Sequence, residues 1–151
     1  MTAKRIYSRD ARSPVPKNEH VSEMMSRIRA KNTGPEKSMR TALSEAGIRG
    51  YRLNYAKAPG KPDIAFVGRK VAVFIHGCFW HGCPHCQPRR PKRNKRFWEE
   101  KLDRNAARDK RNVRALRNAG WRVITVWECR LKKDAMPAVR RVQRALAAEM
   151  R

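Results

Sequence analysis

The chain has 151 residues, which is enough for one domain with a buried core. Its 37 Lys and Arg residues against 13 Asp and Glu give a formal net charge of +24, so we expect a polyanionic partner, with nucleic acid favoured over an anionic membrane. No apolar run approaches the length of a membrane span, and the N-terminus has no apolar signal-peptide core. A cytoplasmic protein is therefore expected, in which reduced cysteines favour metal binding over disulfides.

The N-terminal segment is basic and has no regular apolar pattern. Residues 1–19 are predicted to form a flexible arm, either a solvated tail or a strap that orders against DNA. Residues 20–151 are predicted to form a single domain. Its first helix is expected to begin at Ser22, a capping residue, and to end near Ala30.

A second helix is predicted to begin at Thr33-Gly34-Pro35 and to end at Gly47. Apolar residues recur at helical spacing along it, namely Met39, Leu43 and Ala46. Glu36 falls in the first turn, where a carboxylate interacts favourably with the helix dipole. Position alone therefore makes Glu36 an ordinary helix-start acid.

A β-hairpin is predicted in the next part of the chain. Residues 51–55 alternate weakly, as in a short strand, and residues 58–62 form a rigid turn rich in proline and glycine. Asp63 then opens a short strand over 64–67, and the wholly apolar run 71–75 is a strand buried on both faces. Asp63 at the mouth of a buried strand can cap the turn or bind a hard metal ion.

A long helix is predicted from about Lys95 to Asn118. The stripe that it buries contains one carboxylate and consists of Trp98, Leu102, Ala106, Asp109, Val113 and Leu116. A carboxylate on a buried face needs a partner, either an arginine or an active-site histidine. A third strand over 121–127 and a final helix over 137–150 follow, with Val139, Val142, Leu146 and Ala147 facing inward. This alternation predicts an α/β fold with a small mixed sheet flanked by helices.

The cysteines indicate a structural zinc loop. Cys78, Cys83 and Cys86 lie within nine residues, and Cys129 follows the third predicted strand, whose end can return beside this loop. Four thiolates would hold Zn²⁺ tetrahedrally and leave no open position for catalysis. His85 is an alternative ligand in place of Cys83 or Cys86.

Two histidines remain beside this cluster. His76 and His81 either brace the zinc loop or move a proton in attack on a phosphodiester. With Asp63 as a ligand for Mg²⁺ and Asp109 orienting one imidazole, they would complete a hydrolytic site.

Two adjacent aromatic residues, Phe79 and Trp80, lie between these histidine and cysteine residues. They either pack against the core or face outward, where they would insert between base pairs. Composition and spacing leave both alternatives open.

The run from Ile75 to His81 resembles the very short patch repair (Vsr) mismatch endonucleases. The resemblance covers roughly residues 20 to 130 and includes the segments Met25–Ile28, Ala30–Thr33, Glu36, Pro62-Asp63, Phe97-Trp98, Asn105, Arg108-Asp109, Gly120–Val123 and Val126–Cys129. It implies a restriction-endonuclease-like fold and an enzyme that nicks double-stranded DNA 5′ to the thymine of a T:G mismatch.

The resemblance also implies roles for single residues. Asp63 and the backbone carbonyl of Ile75 would hold Mg²⁺, and Glu36 would lie near His76, which would assist at the phosphate. His81 would activate water while oriented by Asp109. The residues implied to intercalate beside the mismatch are Met25, Phe79 and Trp80.

The sequence departs from the family pattern at two places. Ile75 replaces an expected threonine, which is tolerable if only its carbonyl is used. The loop Cys83-Pro84-His85-Cys86 differs from the histidine-containing version typical of the family. The lysine of the acid-x-Lys signature of related nucleases is also absent after Asp63.

The sequence therefore predicts a Mg²⁺-dependent, zinc-stabilised DNA mismatch endonuclease that acts as a monomer, together with other mismatch-repair proteins, on DNA in a bacterial cytoplasm. A non-catalytic zinc-bearing DNA-binding protein is the main alternative, and a ribosome-associated zinc protein is the other. Neither alternative requires Asp63, His81 and Asp109 together, whereas a nuclease does.

Overall fold

A computed structural model describes residues 32–149, together with residues 15, 17–20 and 24. From Gly34 onward, the described residues form one compact unit. The helix predicted from Ser22 to Ala30, apart from Met24, and the side chain of Met25 lie outside the described residues, as does most of the predicted arm over 1–19.

The compact unit contains one four-stranded sheet and five helices. In chain order these are α1 (Gly34–Glu45), β1 (Arg52–Leu53), β2 (Ile64–Phe66), β3 (Val71–His76), α2 (Cys78–His81), α3 (Lys95–Asn118), β4 (Arg122–Trp127), α4 (Glu128–Lys133) and α5 (Met136–Ala147). The strands lie in the order β1-β2-β3-β4. Neighbouring strands are antiparallel except β3 and β4, which are parallel, so the predicted α/β class and mixed sheet are confirmed.

Strand β3 is the centre of the core. All six of its residues are buried, as the apolar run predicted. Val71, Val73 and Ile75 pack on one side with residues of α1, α4 and α5, while Ala72 and Phe74 pack on the other side with Leu116 of α3. Because side chains alternate along a strand, His76 at the end of β3 belongs to the α3 side.

The predicted helical stripes are confirmed in their main residues. Met39 and Leu43 of α1 and Leu116 of α3 are fully buried, and α3 has the predicted bounds. Although α3 is the longest described helix, neither it nor any other helix in this part of the chain is long and apolar enough to cross a membrane.

The last helix ends at Ala147, short of the predicted end at residue 150, and its predicted inward stripe is wrong at one residue. Val139 and Val142 are fully buried and Leu146 packs against the core, but Ala147 is exposed. Ala147 follows Val142 by five residues, which places it about 140° around the helix from the buried stripe. Because alanine has a small apolar side chain, the sequence did not indicate that Ala147 is exposed.

Three local features differ from the sequence pattern. Strand β1 contains two residues rather than the predicted 51–55, and β2 ends at Phe66 because Val67–Arg69 forms a 3-10 turn. The predicted cysteine loop begins with the short helix α2, and α4 follows β4 directly. Neither helix has enough residues for a periodic apolar pattern to show.

The turn before Asp63 lies against α3. Gly60 has φ +73°, and a Cβ atom built on it would lie 2.7 Å from Cβ of Asn112. A side chain here would meet a part of Asn112 that cannot move away without the helix backbone. This contact sets the distance between the turn and α3.

We expect Gly60→Ala to destabilise the protein more than Gly47→Ala. Both glycines have φ near +74°, so both substitutions cost about 1 kcal/mol of backbone strain, but nothing lies within 4 Å of a Cβ at Gly47. The clash with Asn112 should add about 1–3 kcal/mol in Gly60→Ala. Urea unfolding of both variants measures the difference, and equal free energies of unfolding would contradict the close contact.

Candidate active site and metal centre

A histidine–carboxylate pair lies beside the end of β3. His81 is the last residue of α2, and its Nδ1 lies 2.6 Å from Oδ2 of Asp109 on α3. Of the two partners considered for this carboxylate, the structure provides the histidine. With the Nδ1 proton donated to Asp109, the lone pair on Nε2 is left to accept a proton.

The Asp109 carboxyl group remains ionised in this pair. Burial raises the pKa of Asp109, but the hydrogen bond with His81 and the charge of that histidine outweigh burial, so the pKa is lowered overall. An ionised acceptor keeps the proton on Nδ1 and stabilises an imidazolium when Nε2 takes up a second proton.

His76 adjoins this pair but has different electrostatics. Its ring stacks on that of His81, with centroids 3.9 Å apart and planes at 4°, and it contacts the edge of Trp127. Burial, and then the charge of His81, lower the pKa of His76 to about 4. His76 is therefore neutral at neutral pH and can form a hydrogen bond to a phosphate oxygen without carrying charge.

Asp63 meets the end of β3 from the neighbouring strand. It directly precedes β2, and its Oδ2 accepts a hydrogen bond of 2.7 Å from the backbone N–H of Ile75. Burial raises the pKa of Asp63 to about 6, and the Ile75 hydrogen bond only partly opposes this. In the described part of the chain, no Lys, Arg or His side chain forms an ion pair with it.

Glu36 belongs to the same region. It is only 6% exposed in the first turn of α1, so it is not the solvated helix-start acid that its position suggested. Its charge raises the pKa of Asp63, and the charge of His81 lowers it. The structure therefore brings together, at one end of the sheet, the five residues singled out from the sequence: Glu36, Asp63, His76, His81 and Asp109.

The four cysteines form a second cluster beside this one. The sulfur atoms of Cys78, Cys83, Cys86 and Cys129 all lie within 4.8 Å of one another. The Sγ atoms of Cys83 and Cys129 are 3.7 Å apart. Tetrahedral Zn²⁺ with Zn–S bonds of about 2.3 Å requires sulfur separations of about 3.8 Å, so the cluster fits such an ion.

The ring of His85 does not belong to this cluster. Nδ1 of its exposed ring lies 3.0 Å from a guanidinium nitrogen of Arg130, while its backbone N–H donates to Sγ of Cys83. Of the ligand sets left open by the sequence, the structure assembles the four cysteines. Helix α4 makes this possible, because it begins at Glu128 and holds Cys129 against Cys78.

Phe79 and Trp80 belong to a cluster of four aromatic rings at the protein surface. Both side chains are half-buried and contact Trp98, with ring centroids 5.6 and 6.0 Å away, and the ring of Phe97 also contacts that of Trp98. Nζ of Lys101 lies 5.4 Å from the centroid of the Trp80 ring. The rings therefore pack against one another without entering the main core.

Two supporting residues were not given roles from the sequence. The side-chain amide of Asn105 donates a 3.1 Å hydrogen bond to the carbonyl of Trp80, and Glu128 accepts a 3.4 Å bond from the N–H of Cys78. Asn105 precedes Asp109 by four residues, so the two lie on the same side of α3. This spacing of four residues is the feature of the sequence that could have identified Asn105 as a residue of the site.

Comparison with known proteins identifies related sequences. The family model described as DNA mismatch endonuclease Vsr matches residues 14–87. The chain is 46% identical over 131 residues to Type II nicking enzyme V.NaeI of Lentzea aerocolonigenes, covering 83% of this chain and 78% of that one. It is 44% identical to Type II nicking enzyme V.XorIIP of Xanthomonas oryzae pv. oryzae, covering 72% and 79%. It is 38% identical to DNA mismatch endonuclease Vsr of Escherichia coli, covering 74% and 70%.

We expect Asp63→Asn to stabilise the protein at neutral pH. The pKa of Asp63 rises from 3.8 to about 6 on folding, so the folded state binds the extra proton between these values. Ionisation of Asp63 therefore does not lower the free energy of unfolding below pH 4. As the pH rises to 6 and above, it lowers that free energy by an amount that grows to about 3 kcal/mol.

Urea unfolding without added Mg²⁺ should show the Asn variant about 1–3 kcal/mol more stable than the parent at pH 7.5, with a smaller difference at pH 4. Asp103→Asn, at an exposed position on α3, should show no such pH-dependent difference. A parent protein that is the more stable of the two at pH 7.5 would contradict the burial cost.

Proposed function

The chain belongs to the Vsr family of DNA mismatch endonucleases and is a DNA endonuclease, and we propose that it nicks one strand of double-stranded DNA 5′ to the thymine of a T:G mismatch. The observation that carries the proposal is the 2.6 Å contact between His81 and Asp109 beside the Asp63 carboxylate. Family membership sets aside the two rival interpretations, a non-catalytic DNA-binding protein and a ribosome-associated protein.

The proposed fold is restriction-endonuclease-like. In support, a mixed sheet carries an acid before β2 and site residues at the end of β3, with helices on both faces. This arrangement gathers the site at one end of the sheet, where a DNA strand can reach it.

Asp63 and the carbonyl oxygen of Ile75 are the proposed Mg²⁺ ligands. Oxygen donors suit this ion, and Asp63 is a largely buried carboxylate without an ion-pair partner in the described part of the chain. The raised pKa of Asp63 indicates that the surrounding residues compensate its negative charge poorly. When bound there, Mg²⁺ would supply positive charge beside the scissile phosphate.

His81 is the proposed general base. Its Nε2 takes a proton from the attacking water, and Asp109 holds the ring through Nδ1 and stabilises the resulting imidazolium. His76, neutral because its pKa is about 4, donates a hydrogen bond to a phosphate oxygen. Glu36, proposed to lie near His76, raises the pKa of Asp63 through its charge.

Phe79 and Trp80, with Met25, are the proposed wedge at the mismatch. The two rings lie half-buried at the surface on the same short helix as His81. Unstacking costs less where a base pair is already poor, so insertion at this position converts weak pairing into selectivity. The hydrogen bond from Asn105 to Trp80 keeps this helix in place beside α3.

The proposed zinc ion is structural. Four cysteine ligands leave no open coordination position, and the cluster joins the residues that follow β3 to those that follow β4. The proposed working form is a monomer on DNA in the cytoplasm, in a pathway with other mismatch-repair proteins. The charge of +24 supports tight association with DNA.

We expect the purified protein to contain one zinc ion per chain. Cys129→Ser should lose most of this zinc and unfold about 5 °C or more below the parent, because metal binding contributes free energy of folding. His85→Ala, which changes an exposed side chain beside the cluster, should keep its zinc. Elemental analysis and thermal melting measure both quantities, and a zinc-free parent would refute the site.

Strand-resolved nicking of T:G and T:A duplexes, with and without Mg²⁺, tests the proposed function. The thymine strand of the T:G duplex alone should be nicked, and only with the metal. His81→Ala should lower the rate by about 10³-fold and Asp109→Asn by about 10²-fold, with mismatch binding retained. Asp103→Asn, an exposed carboxylate on the same helix, is the matched control. An Asp109→Asn variant that is unstable but fully active would make Asp109 a structural ion pair.

A further inference from the structure

The residues assigned to the site include no permanently charged cation. Three are acids, Glu36, Asp63 and Asp109, and the other two are histidines. Hydrolysis of a phosphodiester adds negative charge to the phosphate oxygens in the transition state, and fixed donors aimed at that charge usually supply much of the rate enhancement. A protein-borne cation beside the pair of His81 and Asp109 would serve this purpose.

Arg108 lies at the required place on α3. It directly precedes Asp109, and its neighbours on the helix surface, three residues before and four residues after, are Asn105 and Asn112. Asn105 binds the carbonyl of Trp80 on α2, and Asn112 contacts Gly60 in the turn that leads to Asp63. Arg108 is therefore between the two segments that deliver the proposed base and the proposed metal ligand.

Arg108 is also available to bind a ligand. Its side chain is exposed, and among residues 32–149 it forms no ion pair or side-chain hydrogen bond. Other arginines of the chain have such partners, as Arg90 has in Asp103 and Arg96 has in Glu100. The charge of Arg108 does reach the site: burial raises the pKa of Asp109, His81 outweighs it, and His76 and Arg108 lower it further.

We propose that Arg108 binds the scissile phosphate and stabilises the negative charge that develops on it during hydrolysis. The proposal rests on the proposed function, with water as the nucleophile. The water oxygen bonds to phosphorus and gives a proton to Nε2 of His81, while one ester P–O bond breaks and its oxygen takes a proton from solvent. Arg108 keeps its proton throughout, because the guanidinium group is permanently charged, and its fork matches two phosphate oxygens.

Arg104 provides the matched control. It lies four residues before Arg108 on the same flank of α3, is exposed, and forms no ion pair within the described residues. If Arg108 were only one of many phosphate contacts, Arg104→Ala and Arg108→Ala would lower DNA affinity equally and leave the rate of the bound complex unchanged.

The experiment compares single-turnover nicking with enzyme in saturating excess over the duplex that the parent nicks fastest. Arg108→Ala should lose about 10²-fold or more in rate, Arg108→Lys should lose less, and Arg104→Ala should stay within about 2-fold of the parent. Added ethylguanidinium should restore part of the activity of Arg108→Ala and none of that of His81→Ala. Equal saturated rates for the Arg104→Ala and Arg108→Ala variants, or a loss that higher enzyme concentration removes, would overturn the proposal.

Because the substrate is chosen by what the parent nicks, a preference for a duplex other than T:G would count against the proposed specificity and still leave Arg108 testable. Melting temperatures of both alanine variants should match the parent, since both side chains are exposed. If Arg108→Ala melts below the parent, the Arg108→Lys variant decides the question. A lower saturated nicking rate of Arg108→Lys at a normal melting temperature supports the proposed role of Arg108, and a rate equal to that of the parent refutes it.

Discussion

The parallel pairing of β3 with β4 is the contact on which both clusters depend. The last pair in its register is His76 opposite Trp127. Because parallel strands end at the same edge of a sheet, Cys78 and Cys129, each two residues further on, meet there, and the N–H of Cys129 donates to Sγ of Cys78. A slip of one residue in β3 would turn His76 to the opposite face, away from α3. The apolar residues that fix this register therefore also fix the site.

Helix α2 connects the cysteine cluster to the pair of His81 and Asp109. It contains only four residues, far fewer than an isolated helix needs, so contacts at its ends must hold it. Its first residue, Cys78, belongs to the sulfur cluster, and its last residue, His81, is bound by Asp109. Loss of the proposed zinc would free one end of α2, and the proposed base would lose its fixed position beside α3. A structural metal can thereby control catalysis without contacting substrate.

The sequence predicted the elements that have long apolar patterns and missed those that do not. The bounds of α3 and the burial of β3 followed from periodicity, and Asp109 was recognised because a carboxylate interrupted an apolar stripe. Helices α2 and α4 were not predicted, because they are stabilised by tertiary contacts that a local sequence pattern does not reveal. The burial of Glu36 also depends on packing at the end of the sheet, which a helix-start position cannot reveal. Ala147 was misplaced because alanine is compatible with either face.

The site is rich in acids although the whole chain is basic. The protein carries +24, yet three of the five residues assigned to the site at the end of the sheet are the carboxylates Asp63, Glu36 and Asp109. The general charge attracts DNA, but these carboxylates alone would repel a phosphate that approaches them. A divalent cation at Asp63 would remove this repulsion and favour the ionised carboxylate whose pKa burial now raises to about 6. The phosphate would in turn strengthen binding of the cation. By linkage, each ligand then raises the affinity for the other, so the proposed metal is held most tightly when DNA occupies the site.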